Sequence, residues 1–180
     1  MTKTPAALWL TDPEAYRKKM YDLLGKRDPL EVMSQTADAL DAIVKEHTPA
    51  RMRTRPFEGK WTPDEVIGHL TDSEWVYGFR MRLILSENNP TILGMDQDLW
   101  VAAQRHNDRE PAELVDMFRH LRGYNLSVWR RMKPADLQRA GQHNERGPES
   151  LGVTLRMMAG HDLHHLDQIR RYLQAVKEMR

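Results

Sequence analysis

The stretch His161-Asp162-Leu163-His164-His165 places three of the chain's eight histidines within five residues. It lies in a proline-free run, Leu151 to Val176, whose apolar residues recur at the period of an α-helix. Leu155, Met158, Leu166, Ile169, Leu173 and Val176 share one side of that helix. His165 falls inside the apolar side, His161 lies at its edge, and His164 is rotated off it. Residues four apart stack on one face, so His161 and His165 can aim their imidazoles at one point. Two imidazoles turned toward a core need partners, because burying a polar group without one is costly. A metal ion would serve both. Hydrogen bonds within the core are the alternative, and the spacing alone does not choose between them.

Working outward, the rest of the chain reads as helices with clear starts. Asp12-Pro13-Glu14 opens a short helix that runs to about Leu24 and stops at Gly25. Asp28-Pro29 repeats the signal, and Leu30, Met33, Ala37, Leu40 and Val44 form a stripe ending near His47-Thr48-Pro49. Trp61-Thr62-Pro63-Asp64-Glu65 carries a capping box. The helix it opens extends to about Ser86, with Val66, Leu70, Tyr77, Met81 and Ile84 inward, His69 on the flank and Glu74 within the stripe. Pro111 opens the next, with Leu114, Phe118, Leu121, Asn125, Val128 and Met132, ending at Lys133-Pro134. Arg51 to Lys60 reads as a solvated loop. Thr91 to Arg109 is the longest connection, with a short helix around Trp100, and polar Ala135 to Glu149 reads as a loop. No segment has the period of a strand.

Four long amphipathic helices predict an all-α four-helix bundle. The connections between helices one and two and between three and four allow antiparallel neighbours. The longer connection between two and three is expected to cross over. Residues 1–28 form an N-terminal extension packed on the bundle, and residues 29–180 the bundle domain.

Composition narrows the function. Lysine plus arginine number 27 against 26 for aspartate plus glutamate, a formal net charge of +1. A dedicated nucleic-acid binder carries a larger basic excess. No apolar run reaches the length of a membrane span, and the stretch Met1 to Trp9 lacks a secretory apolar segment. The default expectation is a cytoplasmic protein without nucleic-acid or membrane partners. There is no cysteine. Any metal must therefore be held by histidine, carboxylate and water.

A metal needs a third ligand from a facing helix, and His69 is the best placed. Glu74 and Asp162, both on core-facing sides, are candidates to orient imidazoles or to act as general base. His47, His106, His120 and His143 are read as structural, His106 and His143 as loop residues.

Two of these segments resemble a family. Gly59-Lys60-Trp61-Thr62-Pro63-Asp64-Glu65-Val66-Ile67-Gly68-His69-Leu70-Thr71-Asp72-Ser73-Glu74 resembles the opening of DinB-like proteins. His161-Asp162-Leu163-His164-His165-Leu166-Asp167-Gln168-Ile169 resembles their closing helix. Asn89-Pro90 through Asp96-Gln97-Asp98-Leu99-Trp100 is similar to the YfiT-like branch of metal-dependent hydrolases. The likeness covers roughly residues 30–176. It implies a four-helix bundle with a long crossover between helices two and three, and a divalent ion, zinc or nickel, on His69, His161 and His165. It also implies a homodimer, and gives His164 no metal role.

Three functions are compatible with such a site. One is hydrolysis of a small-molecule substrate at open metal positions, with Glu74 or Asp162 as base. The second is transfer of a low-molecular-weight thiol of the bacillithiol or mycothiol type, with Arg80, Arg122 or the Arg51 to Arg55 loop holding an acidic thiol. The third is a non-enzymatic bundle stabilised by its ion.

Overall fold

Each helix begins where the sequence supplies an oxygen for its free N–H groups. In the computed structural model, which describes residues 12–179, helix α1 is Pro13–Leu24 and α2 is Pro29–Lys45. The side chains of Asp12 and Asp28 accept from the amides of Ala15 and Glu31, both at 2.9 Å. A four-residue helix α3, Pro49–Met52, sits in the connection that follows. Helix α4, Pro63–Ser86, has its full capping box: Thr62 Oγ1 accepts from Glu65 N, and Thr62 N donates to Glu65 Oε2 at 2.7 Å. Such a cap stabilises a helix by about 1 kcal/mol. Helix α5 is Gln97–Gln104, α6 is Pro111–Trp129 and α7 is Leu151–Glu178. The segment Met1 to Trp9, read above for a secretory signal, lies outside the described residues.

Helices α2, α4, α6 and α7 form the four-helix bundle, with α5 in the long crossover between α4 and α6. Packing corrects one expectation. Helix α7 lies against α2 and α4, and α6 also lies against α2 and α4. Helices consecutive through the first and last connections are therefore diagonal, and those joined by the crossover are neighbours. Residues 46–62, 87–110 and 130–150 are all long enough to span the bundle, so no short turn forces adjacency. Apolar layers fill it on both sides of a polar middle. One contains Leu40, Ile67, Leu70, Leu114, Phe118 and Ile169, the other Met33, Met81, Ile84, Trp129, Leu151 and Met158.

The polar stretch 135–149 is not simply a loop. It holds strands β2, Ala140–His143, and β3, Gly147–Ser150, paired antiparallel, and β2 pairs parallel with β1, Thr91–Ile92. The strands lack alternating apolar residues, so their period is silent in the sequence. Contact at a distance forms them. Ile92 is buried directly on Gly141, where a Cβ would come within 2.6 Å of its Cδ1. The turn is closed by Gly147, whose φ of 75° suits glycine. The sheet thus staples the crossover to the segment that enters α7.

Helix α1 is part of the packed body. Met20 and Leu24 are buried, and α1 lies along α7. The approach is backbone to side: a Cβ on Gly160 would sit 2.2 Å from the Met20 carbonyl oxygen. Gly160→Ala is expected to push α1 off α7 and cost about 1–3 kcal/mol, the range for overpacking. Thermal unfolding checks this; an unchanged midpoint would show that the contact is not constraining.

Candidate metal centre

His69 lies on the second turn of α4, and His161 and His165 lie one turn apart on α7. The fold brings the three together. His161 Nε2 is 3.1 Å from His69 Nε2 and 3.0 Å from His165 Nε2. Two such contacts on one nitrogen cannot both be good hydrogen bonds, because an imidazole nitrogen carries either one proton or one lone pair. A shared cation satisfies all three. Ligands at about 2.0–2.1 Å in tetrahedral geometry lie about 3.3 Å apart, close to the observed spacing. Burial is the first cause that depresses all three imidazoles, with neighbouring histidines adding to it for His69 and His165. His161 is lowered to about 4, and the other two well below 6.5. They are neutral near pH 7, the form that coordinates metal.

The imidazoles are oriented from behind. His165 Nδ1–H donates to Gln168 Oε1 at 2.7 Å, and Gln168 Nε2 donates to the Tyr172 hydroxyl at 2.8 Å. This assigns the proton to Nδ1 and turns the Nε2 lone pair inward. Gln168 was not among the expected site residues, although its position three residues after His165 places it on the same face. The His69 ring packs against Trp61, centroids 4.8 Å apart, and its Nδ1 has no partner among the described residues.

Glu74 and Asp162 are buried, but they do not serve the imidazoles. Both face Arg122. Its Nη2 lies 2.9 Å from Glu74 Oε1 and donates to Asp162 Oδ1 at 2.9 Å. Asp162 also accepts from the Thr36 hydroxyl, and Glu74 from Asn125. The reason is angular. Asp162 follows His161 by one residue, about 100° around the helix, and so points toward α2 and α6. Engaged by Arg122, neither carboxylate is directed at the three histidines, contrary to the orienting or general-base role expected of them. Arg122, 3% exposed with both Nη atoms committed to Met33, Glu74 and Asp162, is likewise no holder of an acidic thiol. In the Arg51 to Arg55 loop, Arg53 pairs with Glu110 and Arg55 with Glu65, away from the histidines.

His106 and His143 are buried rather than surface loop residues. His106 packs on Gly68 and lies 3.3 Å from Asp72, which also accepts from Gln104, so Asp72 anchors the crossover on α4. His164 is half-buried beside His165, and His120 is exposed.

A cavity of about 120 Å³ opens beside the centre, lined by His69, His161, Ser73, Tyr77, Arg80 and Arg146 among others. One water needs about 10–15 Å³ on this scale, so the space admits a small organic molecule.

A sequence model described as the DinB superfamily matches residues 33–169. The chain belongs to the DinB superfamily. A protein of Oceanobacillus iheyensis named as a candidate metal-dependent hydrolase is 33% identical over 112 residues, covering 62% of this chain and 64% of the relative. A Bacillus mycoides protein named in the same way is 30% identical over 115 residues, with the same two coverages. The chain thus spans slightly less than two thirds of the length of these two relatives. YfiT from Bacillus subtilis, described as a probable metal-dependent hydrolase with an unusual four-helix bundle topology, superposes with a TM-score of 0.76 at 22% identity. That match covers 83% of this chain and 88% of YfiT. A mycothiol-dependent maleylpyruvate isomerase superposes with a TM-score of 0.64 at 14% identity, covering 83% of this chain and 62% of the isomerase. At these identities the two structures bear on the fold alone.

Two outcomes follow from the buried charges. Arg122→Ala leaves two carboxylates unpaired in the core and is expected to cost about 3–5 kcal/mol in urea unfolding. Adding Glu74→Gln and Asp162→Asn should recover most of that loss; no recovery would refute the pairing. The pH dependence has a definite sign. Histidines lowered when folded, His143 among them at about 4, make the unfolded chain bind more protons below pH 6.5. Stability of the metal-free protein should fall as pH drops from about 6.5 toward 4, by up to about 1.4 kcal/mol per pH unit for each proton taken up. A flat profile across that window would count against the burial described.

Proposed function

We propose that the chain is a metal-dependent hydrolase of a small substrate, with a divalent ion, zinc or nickel, held by His69, His161 and His165. The observation that carries the reading is the convergence of three neutral imidazoles, His69 and His165 buried and His161 half-buried, beside a cavity. A divalent ion held by these three histidines would have positions left for water and substrate, and would supply Lewis acidity that lowers the pKa of water. The protein's part is to prepare that site. Burial keeps the imidazoles unprotonated. Gln168 fixes the tautomer of His165. The Arg122 pairs hold α4 and α7 at the separation the three nitrogens need. Ser73, one turn after His69, offers a hydroxyl on the cavity wall.

A purely structural ion asks for a fourth protein ligand. Among the described residues the group within reach comprises these three histidines, which favours a working site over a stabilising one. Thiol transfer is the second reading, favoured by the likeness to a mycothiol-dependent isomerase. Its sulfur would come from the cosubstrate, consistent with a chain that has no cysteine. Trp75 and Phe79, exposed one turn apart on α4, support the homodimer as part of the proposal. No described helix is long and apolar enough to cross a membrane.

Metal analysis of the purified protein is expected to give one divalent ion per chain. His165→Ala should weaken binding by more than about 100-fold, beyond the 10–100-fold typical of an orienting group such as Gln168. His164→Ala should leave binding intact. Absence of stoichiometric metal, or loss in His164→Ala but not in His165→Ala, would refute the ligand set. Turnover of an ester or amide panel without thiol supports hydrolysis; turnover only with thiol and an electrophile supports transfer.

A further inference from the structure

The cavity carries a charge that the proposed chemistry does not use. Five of its lining side chains are charged: Glu14, Arg17, Arg80, Arg146 and Glu149. Four are paired. Arg17 lies 3.4 Å from Glu14, and Arg146 lies 2.8 Å from Glu149, whose other oxygen accepts from the Thr154 hydroxyl. Arg80 makes no ion pair among the described residues; Glu149, within electrostatic reach, is held by Arg146, so two guanidinium groups share one carboxylate on this wall. Arg80 is 5% exposed, its Nη2 donates to the Leu93 carbonyl, and its Nε has no partner among the described residues. Its guanidinium carbon sits 5.0 Å from the centre of the Tyr77 ring. Residues 1–11 contain neither aspartate nor glutamate that could complete the pair.

A buried guanidinium stays charged, and a buried charge without a counterion is unfavourable. A bound anion supplies what is missing. The planar fork of arginine suits a carboxylate, which it can hold through two parallel hydrogen bonds. Position adds direction. His69, Ser73, Tyr77 and Arg80 all line the cavity from α4. Eleven residues separate His69 from Arg80, about 16 Å between Cα atoms at 1.5 Å per residue. Helical side chains lean toward the N-terminus, which tilts Arg80 back toward the histidines.

We propose that Arg80 binds a carboxylate on the molecule processed at the three-histidine centre, so that the cavity selects small, elongated acids. The link to the histidines rests on the hydrolase reading; the carboxylate contact itself does not. The carboxylate belongs either to the substrate or to an acidic thiol cosubstrate, which present the same group to Arg80.

Calorimetric titration of hexanoate and its uncharged analogue hexanamide tests this, on metal-free and zinc-loaded protein. Wild type should bind the acid at least ten-fold more tightly than the amide in the metal-free state. Arg80→Met should abolish that preference, leave amide binding unchanged, and keep the melting temperature and zinc content of wild type. Arg80→Gln serves as the second variant if Arg80→Met does not fold. Equal binding of acid and amide by wild type, or a preference that survives in the variants, overturns the proposal. A protein that binds no zinc yet keeps an Arg80-dependent acid preference removes the metal reading and leaves this one standing. Mercaptosuccinate and succinate separate the two sources. With Arg80 dependence in hand, a zinc-dependent gain for the thiol acid supports a cosubstrate carboxylate, and its absence supports a substrate carboxylate.

Discussion

One guanidinium reaches all four helices of the bundle. Arg122 stands on α6, faces Glu74 on α4 and Asp162 on α7, and donates to the Met33 carbonyl on α2. The Thr36 hydroxyl adds a second tie from α2 to Asp162. A buried ion cluster of this kind is tolerated only when its geometry is complete, because each lone charge is expensive in a low-dielectric interior. Apolar layers on either side allow a range of helix offsets; this cluster does not. It therefore sets the register of α4 against α7, and with it the distance between His69 and the pair on α7. Asp162 is adjacent in sequence to His161, so a shift in the cluster is felt at that imidazole within one residue.

The site joins two opposite electrostatic solutions. The three imidazoles are kept uncharged by burial, and their lone pairs are available. Arg80, on the same cavity, cannot lose its proton and remains cationic. A molecule entering between them meets electron-pair donors at one end and a hydrogen-bond donor fork at the other. On α4, His69 and Arg80 stand three turns apart, and α7 adds His161 and His165 beside His69, so this polarity depends on α4 being continuous and on its packing against α7.

Much of this is legible in the sequence where local rules suffice. The caps at Asp12, Asp28 and Thr62 are side-chain to backbone contacts three residues apart, and the helices start where those residues stand. His161 and His165 share a face because the helical period puts them there, and His69 is on the flank of its own stripe. Arg122 is not legible in this way. A charged residue between Phe118 and Asn125 looks like surface, and only its partners on other helices make it interior. The buried face of α6 runs from Leu114 and Phe118 through Arg122, Asn125, Leu126 and Trp129, with Val128 and, beyond the helix end, Met132 only partly buried against the core. The sheet is hidden for a similar reason: Ala140 to Ser150 has no period, and its strands exist because Ile92 arrives on Gly141. The diagonal pairing of α2 with α4 also depends on the whole, since connections of this length permit either neighbour.

Helix α1 has a consequence for how the molecule is divided. It contributes Pro13, Glu14, Tyr16 and Arg17 to the cavity wall and rests on α7 at Gly160, the residue before His161. The three histidines, Arg80 and the Arg122 cluster all lie outside it. The three histidines and the cavity wall therefore come from different parts of one chain. The first belong to the bundle, and the second is shared with α1, which packs along α7. Substitutions on the cavity side of α1 would reshape that wall while leaving the three histidines in place.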